Sequence, residues 1–256
     1  MGDLFRLDGK VAVIIGGGGA IGGAIAAGMA EQGAKVVIAS RGIQKLQDAA
    51  KKIEAETGVK VACLQGDANN EESIIKLAGG IVSAFGTVDI LVNAYGSATK
   101  KPADEFPADV WDSLFALNVK GVMFCCREFG KIMIKNKKGK IINLSSVRGS
   151  RATLWGGNLG YCASKGALDM MTRALASEWA QYNITVNAVA PSLVAKPEVF
   201  ATRSPEQIQR YLGNVPLKRV ADPKEVAGAF VFLACPASDF ITGQIIYLDG
   251  GMTAIG

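Results

Sequence analysis

Short unbroken apolar runs, separated by stretches of helical periodicity, set the plan of this chain. Val11–Ile15 is the first, a continuous run of the kind that fills a strand buried on both faces of a parallel sheet. Equivalent strands are predicted over 35–39, 60–65, 88–92, 140–144, 184–189 and 244–248. Between them, helical spacing predicts helices over 24–32, 43–56, Glu71–Phe85, 107–136, from Tyr161 to about Tyr182, and over 226–233. In the 107–136 stretch Trp111, Leu114, Phe115, Val119, Val122 and Cys126 form the apolar stripe. The Tyr161 stretch does the same with Leu168, Met171, Leu175 and Trp179. Strand and helix alternating throughout imply an α/β fold, a parallel sheet flanked by helices, as one domain over residues 1–256. Residues 196–214 read as a mobile loop, and Asp222-Pro223-Lys224-Glu225 as a helix start.

Polar positions that interrupt this pattern carry the chemistry. Gly16-Gly17-Gly18-Gly19-Ala20-Ile21-Gly22 lies between the first strand and a helix of small residues. Glycines there let the backbone turn sharply and approach a pyrophosphate, whose charge is held by amides at the helix start. The second strand ends in Ser40-Arg41 where a carboxylate would favour the ribose hydroxyls of NAD. A guanidinium in that place favours the 2′-phosphate of NADP(H). Asp67-Ala68, after the third strand, lies where an adenine edge is read, and Asn93-Ala94-Tyr95-Gly96, after the fourth, belongs at the ligand-binding edge of the sheet. Asn118 is an amide among apolar positions, so it either ties down backbone or orders a water.

Composition narrows the field. Hydrophobic residues make up 49% of the chain and glycines number 31, which suits buried strands and close backbone approaches rather than disorder. The net charge of +5 comes without a basic block, so no nucleic-acid partner is indicated. Residues 11–30 lack any charge and are long enough to span a bilayer, but seven glycines among them point to strand, turn and helix instead. The N-terminus has no signal-like apolar run, and the five cysteines have no metal-ligand spacing; they read as reduced core residues of a cytoplasmic protein. The histidine count is zero, so proton transfer must use another group, and a hydrolase built on a histidine base is disfavoured.

Tyr161 and Lys165, four apart, share one helix face, where an ammonium can stabilise a phenolate. Ser145-Ser146, at the end of the fifth strand, brings hydroxyls to the same sheet edge. Read alone, Tyr161 packs and Lys165 is solvated; the glycine turn, Asn118 and Ser146 favour an acid/base unit. A non-catalytic dinucleotide sensor or scaffold would need neither the serine nor the phenol.

Taken together these segments resemble the short-chain dehydrogenase/reductase family over essentially the whole chain. Ile15 to Gly22 resembles its T-G-x-x-x-G-x-G, Asn93-Ala94-Tyr95-Gly96 its N-N-A-G and Tyr161 to Lys165 its Y-x-x-x-K. Asn118 matches the family's asparagine and Asn187 to Pro191 its N-x-x-x-P. The resemblance implies a Rossmann-type doubly wound parallel sheet and a carbonyl–alcohol oxidoreductase using NADP(H). It makes Tyr161 the general acid/base, with Lys165 lowering its pKa and holding the nicotinamide ribose, Ser146 bonding the substrate oxygen and Asn118 positioning a relay water. Gly16, Gly18, Gly19, Ala20, Ile21, Gly22, Ser40, Arg41, Asp67, Ala68, Asn93, Ala94, Tyr95, Gly96, Pro191 and Val194 would line the cofactor site with Tyr161 and Lys165. A substrate loop is expected at about 192–214, and a homotetramer as the assembly.

Several positions depart from the pattern: Ile15, Ala20, Ala94, Tyr95, Ser192 and Lys196. Tyr95 could narrow the site above the nicotinamide or pack, and Lys196 replaces a threonine near the nicotinamide amide. Lys100, Lys101, Arg148, Arg151 and Lys196 lie in loops expected at the sheet edge; alone each is a solvated charge, together they could bind an anionic substrate. A 3-oxoacyl thioester is the first substrate expectation, with a sugar acid or polyol, as for gluconate 5-dehydrogenases, as the alternative.

Overall fold

In the computed structural model, which describes residues 2–153 and 156–255, the apolar runs become one seven-stranded parallel sheet. Its strands are β1 (Val11–Ile15), β2 (Lys35–Ser40), β3 (Ala62–Gln65), β4 (Ile90–Asn93), β5 (Gly139–Leu144), β6 (Ile184–Pro191) and β7 (Ile245–Leu248), in the order β3-β2-β1-β4-β5-β6-β7. The order reverses between β1 and β4, the place where such sheets open a ligand crevice beyond their carboxyl ends. Register sets Ile15 opposite Ala39 and Asn93, and Asn93 opposite Asn143, so the glycine turn, Gly96 and Ser146 leave the sheet along one edge.

Alternation within strands explains why they had to be apolar throughout. Ala12, Ile14, Val36 and Ile38 face a core shared with α1 (Ala20–Glu31), α2 (Ile43–Thr57) and α9 (Pro223–Ala234), where Phe230 is fully buried. Val11, Val13, Ile15, Val37 and Ala39 face the opposite core, built with α3 (Glu71–Phe85), α5 (Gly121–Asn136) and α6 (Leu159–Trp179). The uncharged stretch 11–30 is thus strand, turn and helix. Among the described residues no helix is long and apolar enough to cross a membrane. All five cysteines are free; Cys125, Cys126 and Cys235 are buried, Cys63 and Cys162 half-buried.

Three predicted elements differ. The 107–136 helix is α4 (Ala108–Phe115) and α5 joined by a π-helical turn, Ala116–Lys120, whose wider winding brings Asn118 inward with no exposure. The 196–214 loop contains α7 (Pro197–Ala201) and α8 (Pro205–Leu212). The latter opens on a reciprocal cap: Ser204 Oγ accepts from the Gln207 amide while Gln207 Oε1 accepts from the Ser204 amide. The loop predicted between Ser146 and Tyr161 forms a 3₁₀ turn at Val147–Gly149, and its positions 154 and 155 lie outside the described residues.

Gly130 of α5 lies against the ring of Trp179 at the end of α6. A Cβ at Gly130 would stand 2.6 Å from Cη2 of Trp179. Gly130→Ala is therefore expected to destabilise the fold by about 1–3 kcal/mol through overpacking, less whatever alanine's helix propensity restores. A denaturant midpoint unchanged or raised in this variant would contradict that packing.

Candidate active site

The glycine turn is forced by its neighbours. Gly16 has φ of +86°, and a Cβ there would lie 2.6 Å from the Ala94 carbonyl; one on Gly22 would lie 2.3 Å from the Gly16 carbonyl. Only bare backbone fits, and it brings the start of α1 to the switch point. Gly19 is the N-cap of α1 and supplies no side-chain cap, and the first turn carries no acid. The opening amides of Ala20, Ile21 and Gly22 are thus left for an external anion, the arrangement that binds a pyrophosphate. A dinucleotide fits this cradle. Nearby, Arg41 is exposed and enters no ion pair among the described residues, while its carbonyl accepts from Gln65 Nε2 at 2.8 Å. Lys45 was not singled out by sequence; its stem packs against Gly18, and both line a cavity of about 820 Å³ between α1, α2 and α9. That cavity starts at the turn and runs away from Tyr161.

At the opposite side of the crevice, Lys165 is 2% exposed and its Nζ donates to the Leu144 carbonyl at 2.7 Å. It stands 5.9 Å from the Tyr161 ring centroid. Burial pulls its pKa from 10.5 down to about 8, with Asp169 opposing. The expectation that Lys165 would leave Tyr161 more acidic than a free tyrosine needs correction. Burial of the phenol dominates and raises its pKa; the groups that pull it back are Ser146, through a hydrogen bond, and Arg148, through its charge.

Asn118 resolves in favour of backbone anchorage. Its Oδ1 accepts from the Ser97 amide at 2.9 Å, while its Nδ2 donates to the Ser97 carbonyl at 2.9 Å and to Ser164 Oγ at 3.0 Å. The side-chain amide that was expected to position a relay water is therefore engaged with protein groups. It fixes the segment after Gly96, where a Cβ would lie 3.1 Å from Asn118 Oδ1 and 3.4 Å from Lys165 Nζ.

Two expected cofactor contacts turn inward. Asn93 is 1% exposed and its Nδ2 donates to Asn143 Oδ1 at 2.9 Å, so its side chain braces β4 against β5. Tyr95 packs in the core on the α5 side, its hydroxyl 3.6 Å from Cys125 Sγ, and does not roof the crevice. Ala94 is buried beneath the glycine turn, and Ala68 beside Gly121. Asp67 is half-buried, with Oδ1 accepting from the Asn69 amide. Pro191 ends β6, and Val194, 3% exposed, forms a bridge to Ala221.

Of the basic residues, Arg148 is the one brought to the phenol. Its Nη1 donates to the Ala152 carbonyl at 2.7 Å, and its charge acts on Tyr161, Cys162 and Tyr211. Tyr211, on α8, bonds Ser192 and lies against Met252, so α8 and the C-terminal turn wall the site. Arg151 donates to the Thr253 carbonyl at 3.1 Å, and the Lys101 amide pairs with the Gly157 carbonyl at 3.0 Å. No contact gathers Lys196 with them among the described residues.

A parallel sheet with an uncapped glycine cradle facing a tyrosine–lysine–serine cluster defines a dinucleotide-dependent oxidoreductase. The family model described as Enoyl-(Acyl carrier protein) reductase matches residues 18–253. The galactitol 2-dehydrogenase (L-tagatose-forming) of Cereibacter sphaeroides is 36% identical over 251 residues, covering 98% of this chain and 97% of the relative. The NAD-dependent glycerol dehydrogenase of Listeria innocua serovar 6a is 34% identical over 252 residues, covering 97% and 96%. Among solved structures, a gluconate 5-dehydrogenase from Burkholderia cenocepacia J2315 in complex with NADP and tartrate superposes with TM-score 0.93 at 33% identity, covering 99% of each chain. The chain belongs to the short-chain dehydrogenase/reductase family, and is an oxidoreductase acting on CH–OH groups.

The buried ammonium makes a measurable demand on stability. The unfolded chain holds the Lys165 proton more tightly, near 10.5, than the folded chain does at about 8. The penalty is thus complete below pH 8 and relieved as pH rises towards 10.5. The stability of the parent relative to Lys165→Met should therefore rise by about 2 kcal/mol between about pH 7 and pH 10 in the ligand-free protein. A difference that stays constant over that range in urea titrations would contradict it.

Proposed function

We propose that this enzyme interconverts a secondary alcohol and a ketone on a polyhydroxylated substrate, a sugar acid or a polyol, with NADP(H) as the hydride carrier. The observation that carries this reading is the Tyr161 phenol, hydrogen-bonded to Ser146 with the Arg148 cation acting on it, across the crevice from the uncapped start of α1. The relatives, named for galactitol, glycerol and gluconate, favour this class over the 3-oxoacyl thioester placed first on sequence.

A dinucleotide, when bound, would supply or accept the hydride; Ala20, Ile21 and Gly22 would hold its pyrophosphate through their amides, and Arg41 with Ser40 would meet its 2′-phosphate. Tyr161 gives its proton to the substrate oxygen in reduction and takes one in oxidation, and Ser146 orients that oxygen. A phenol with a raised pKa keeps its proton at neutral pH and is ready to donate it. In oxidation Ser146, through its hydrogen bond, and Arg148, through its charge, stabilise the phenolate. Arg148 also offers a charge to a carboxylate, and Tyr211 and Ser192 on the substrate-facing segment 192–214 offer hydroxyls to a polyol.

An NADP⁺ and NADPH turnover screen over galactitol, glycerol, gluconate, 5-keto-D-gluconate and a 3-oxoacyl thioester tests the reading. Turnover is expected on a polyol or sugar acid and should fall by about three orders of magnitude or more in Tyr161→Phe, with NADP(H) affinity retained. Turnover of the thioester alone, or undiminished activity in Tyr161→Phe, would overturn it. Arg41→Ala is expected to weaken NADP(H) binding about tenfold or more while changing NAD(H) little, measured as Kd by fluorescence titration; equal losses would remove the phosphate assignment.

A further inference from the structure

Beneath Tyr161 lies an acid that this chemistry leaves unused. Asp169 is one turn beyond Lys165 on α6 and is 4% exposed. Its Oδ1 accepts from Ser145 Oγ at 2.5 Å. Its Oδ2 is pressed against the 3₁₀ turn: a Cβ on Gly149 would stand 2.3 Å from that oxygen and 3.1 Å from the Lys165 carbonyl, and one on Gly166 would stand 3.4 Å from the Gly149 carbonyl. The segment 145–149, which carries Ser146, is therefore held to α6 at both ends, by a carboxylate at Ser145 and by bare backbone contact at Gly149. No side chain at position 149 would fit that contact.

The charge of the acid has a destination as well. Around Lys165 stand Asp169 and Tyr161 on its own helix, the Leu144 carbonyl from β5 and Gly96, with the Asn118 oxygen on the far side of that glycine; Asp169 is the carboxyl group among them. Asp169 in turn faces Lys165 and Arg173 along α6, Ser145 from the end of β5, and Gly149 from the 3₁₀ turn.

We propose that Asp169 is a positioning residue for the reaction, anchoring the Ser146 segment to α6 through Ser145 and supplying the buried counter-charge to the Lys165 ammonium. The proposal rests on the reading of Ser146, Tyr161 and Lys165 given above. Burial disfavours both charges, lowering the pKa of Lys165 and raising that of Asp169, and each opposes the other's shift.

The two functions separate by substitution. Asp169→Asn removes the charge but leaves an oxygen for Ser145; Ser145→Ala removes the anchor but leaves the charge. An NMR titration of protein labelled with ¹⁵N-lysine, with the Lys165 signal assigned from Lys165→Met, needs no substrate and so stands apart from the reading of the reaction. In Asp169→Asn the proton affinity of Lys165 is expected to fall about tenfold, with Asp169→Glu restoring part of it. In Ser145→Ala the Lys165 midpoint should stay in place while kcat on the substrate identified by the screen falls about tenfold, with KM and NADPH Kd within about twofold of the parent. Should Asp169→Asn fail to fold, Asp169→Glu and Ser145→Ala carry the test. An unmoved Lys165 midpoint in folded Asp169→Asn, or an unchanged kcat in Ser145→Ala, would overturn the proposal, whereas absence of any Tyr161-dependent turnover in the parent enzyme would count against the proposed function instead.

Discussion

A single ammonium, Lys165, buried to 2% exposure, is the constraint from which the rest of the site follows. A charge taken out of water needs fixed dipoles around it. Here the ammonium donates to the Leu144 carbonyl at the end of β5, the Asn118 oxygen lies across Gly96 from it, and Asp169 acts on it through its charge. Each comes from a different layer of the fold: sheet edge, π turn and the lysine's own helix. The sheet order that opens the crevice, the wider winding that turns Asn118 inward and the bare glycines at 96 and 149 all serve to bring backbone within reach of that helix.

Two polar networks then fasten the layers beneath the crevice. Asn93, Asn143 and Thr172 link β4, β5 and α6 through hydrogen bonds of 2.9 and 3.0 Å. Asn118 and Ser164 link the segment after β4 to α6, Ser164 returning a bond to the Tyr161 carbonyl at 2.9 Å. Buried amides are costly unless satisfied, and Asn118 and Asn143, each bonded through both amide atoms, fix a register that apolar contact alone leaves adjustable. The reactive phenol therefore rests on a floor of side-chain hydrogen bonds.

Strands were legible because burial on both faces leaves an unbroken apolar run, as in Val11–Ile15, that helical spacing cannot imitate over so short a length. The glycine turn was legible from its place between strand and helix, and Tyr161 and Lys165 from their spacing. What escaped was the direction in which side chains point. Asn93 and Tyr95 lie in a segment that borders the crevice, yet the two-residue alternation of strand ends sends both inward. The π turn leaves no mark in the apolar stripe, since Val119 and Val122 continue it. By contrast the α8 start was written in Ser204-Pro205-Glu206-Gln207, a capping sequence with proline in the first turn, and loop-like composition around it concealed the signal. Asp169 had a sequence signal too, four residues beyond the lysine, but its partners Ser145 and Gly149 meet it only through the fold.

The uncapped start of α1 has a consequence outside catalysis. A helix whose first amides lack partners is incomplete by itself, and a dinucleotide that satisfies them binds the folded chain and not the unfolded one. Cofactor concentration thereby becomes a variable of the folding equilibrium. At a dinucleotide level a hundredfold above its dissociation constant, the folded state gains about 2.7 kcal/mol, which for a fold of marginal stability is a substantial share. The glycine turn that admits the reactant thus makes the enzyme's persistence follow the supply of its own redox partner.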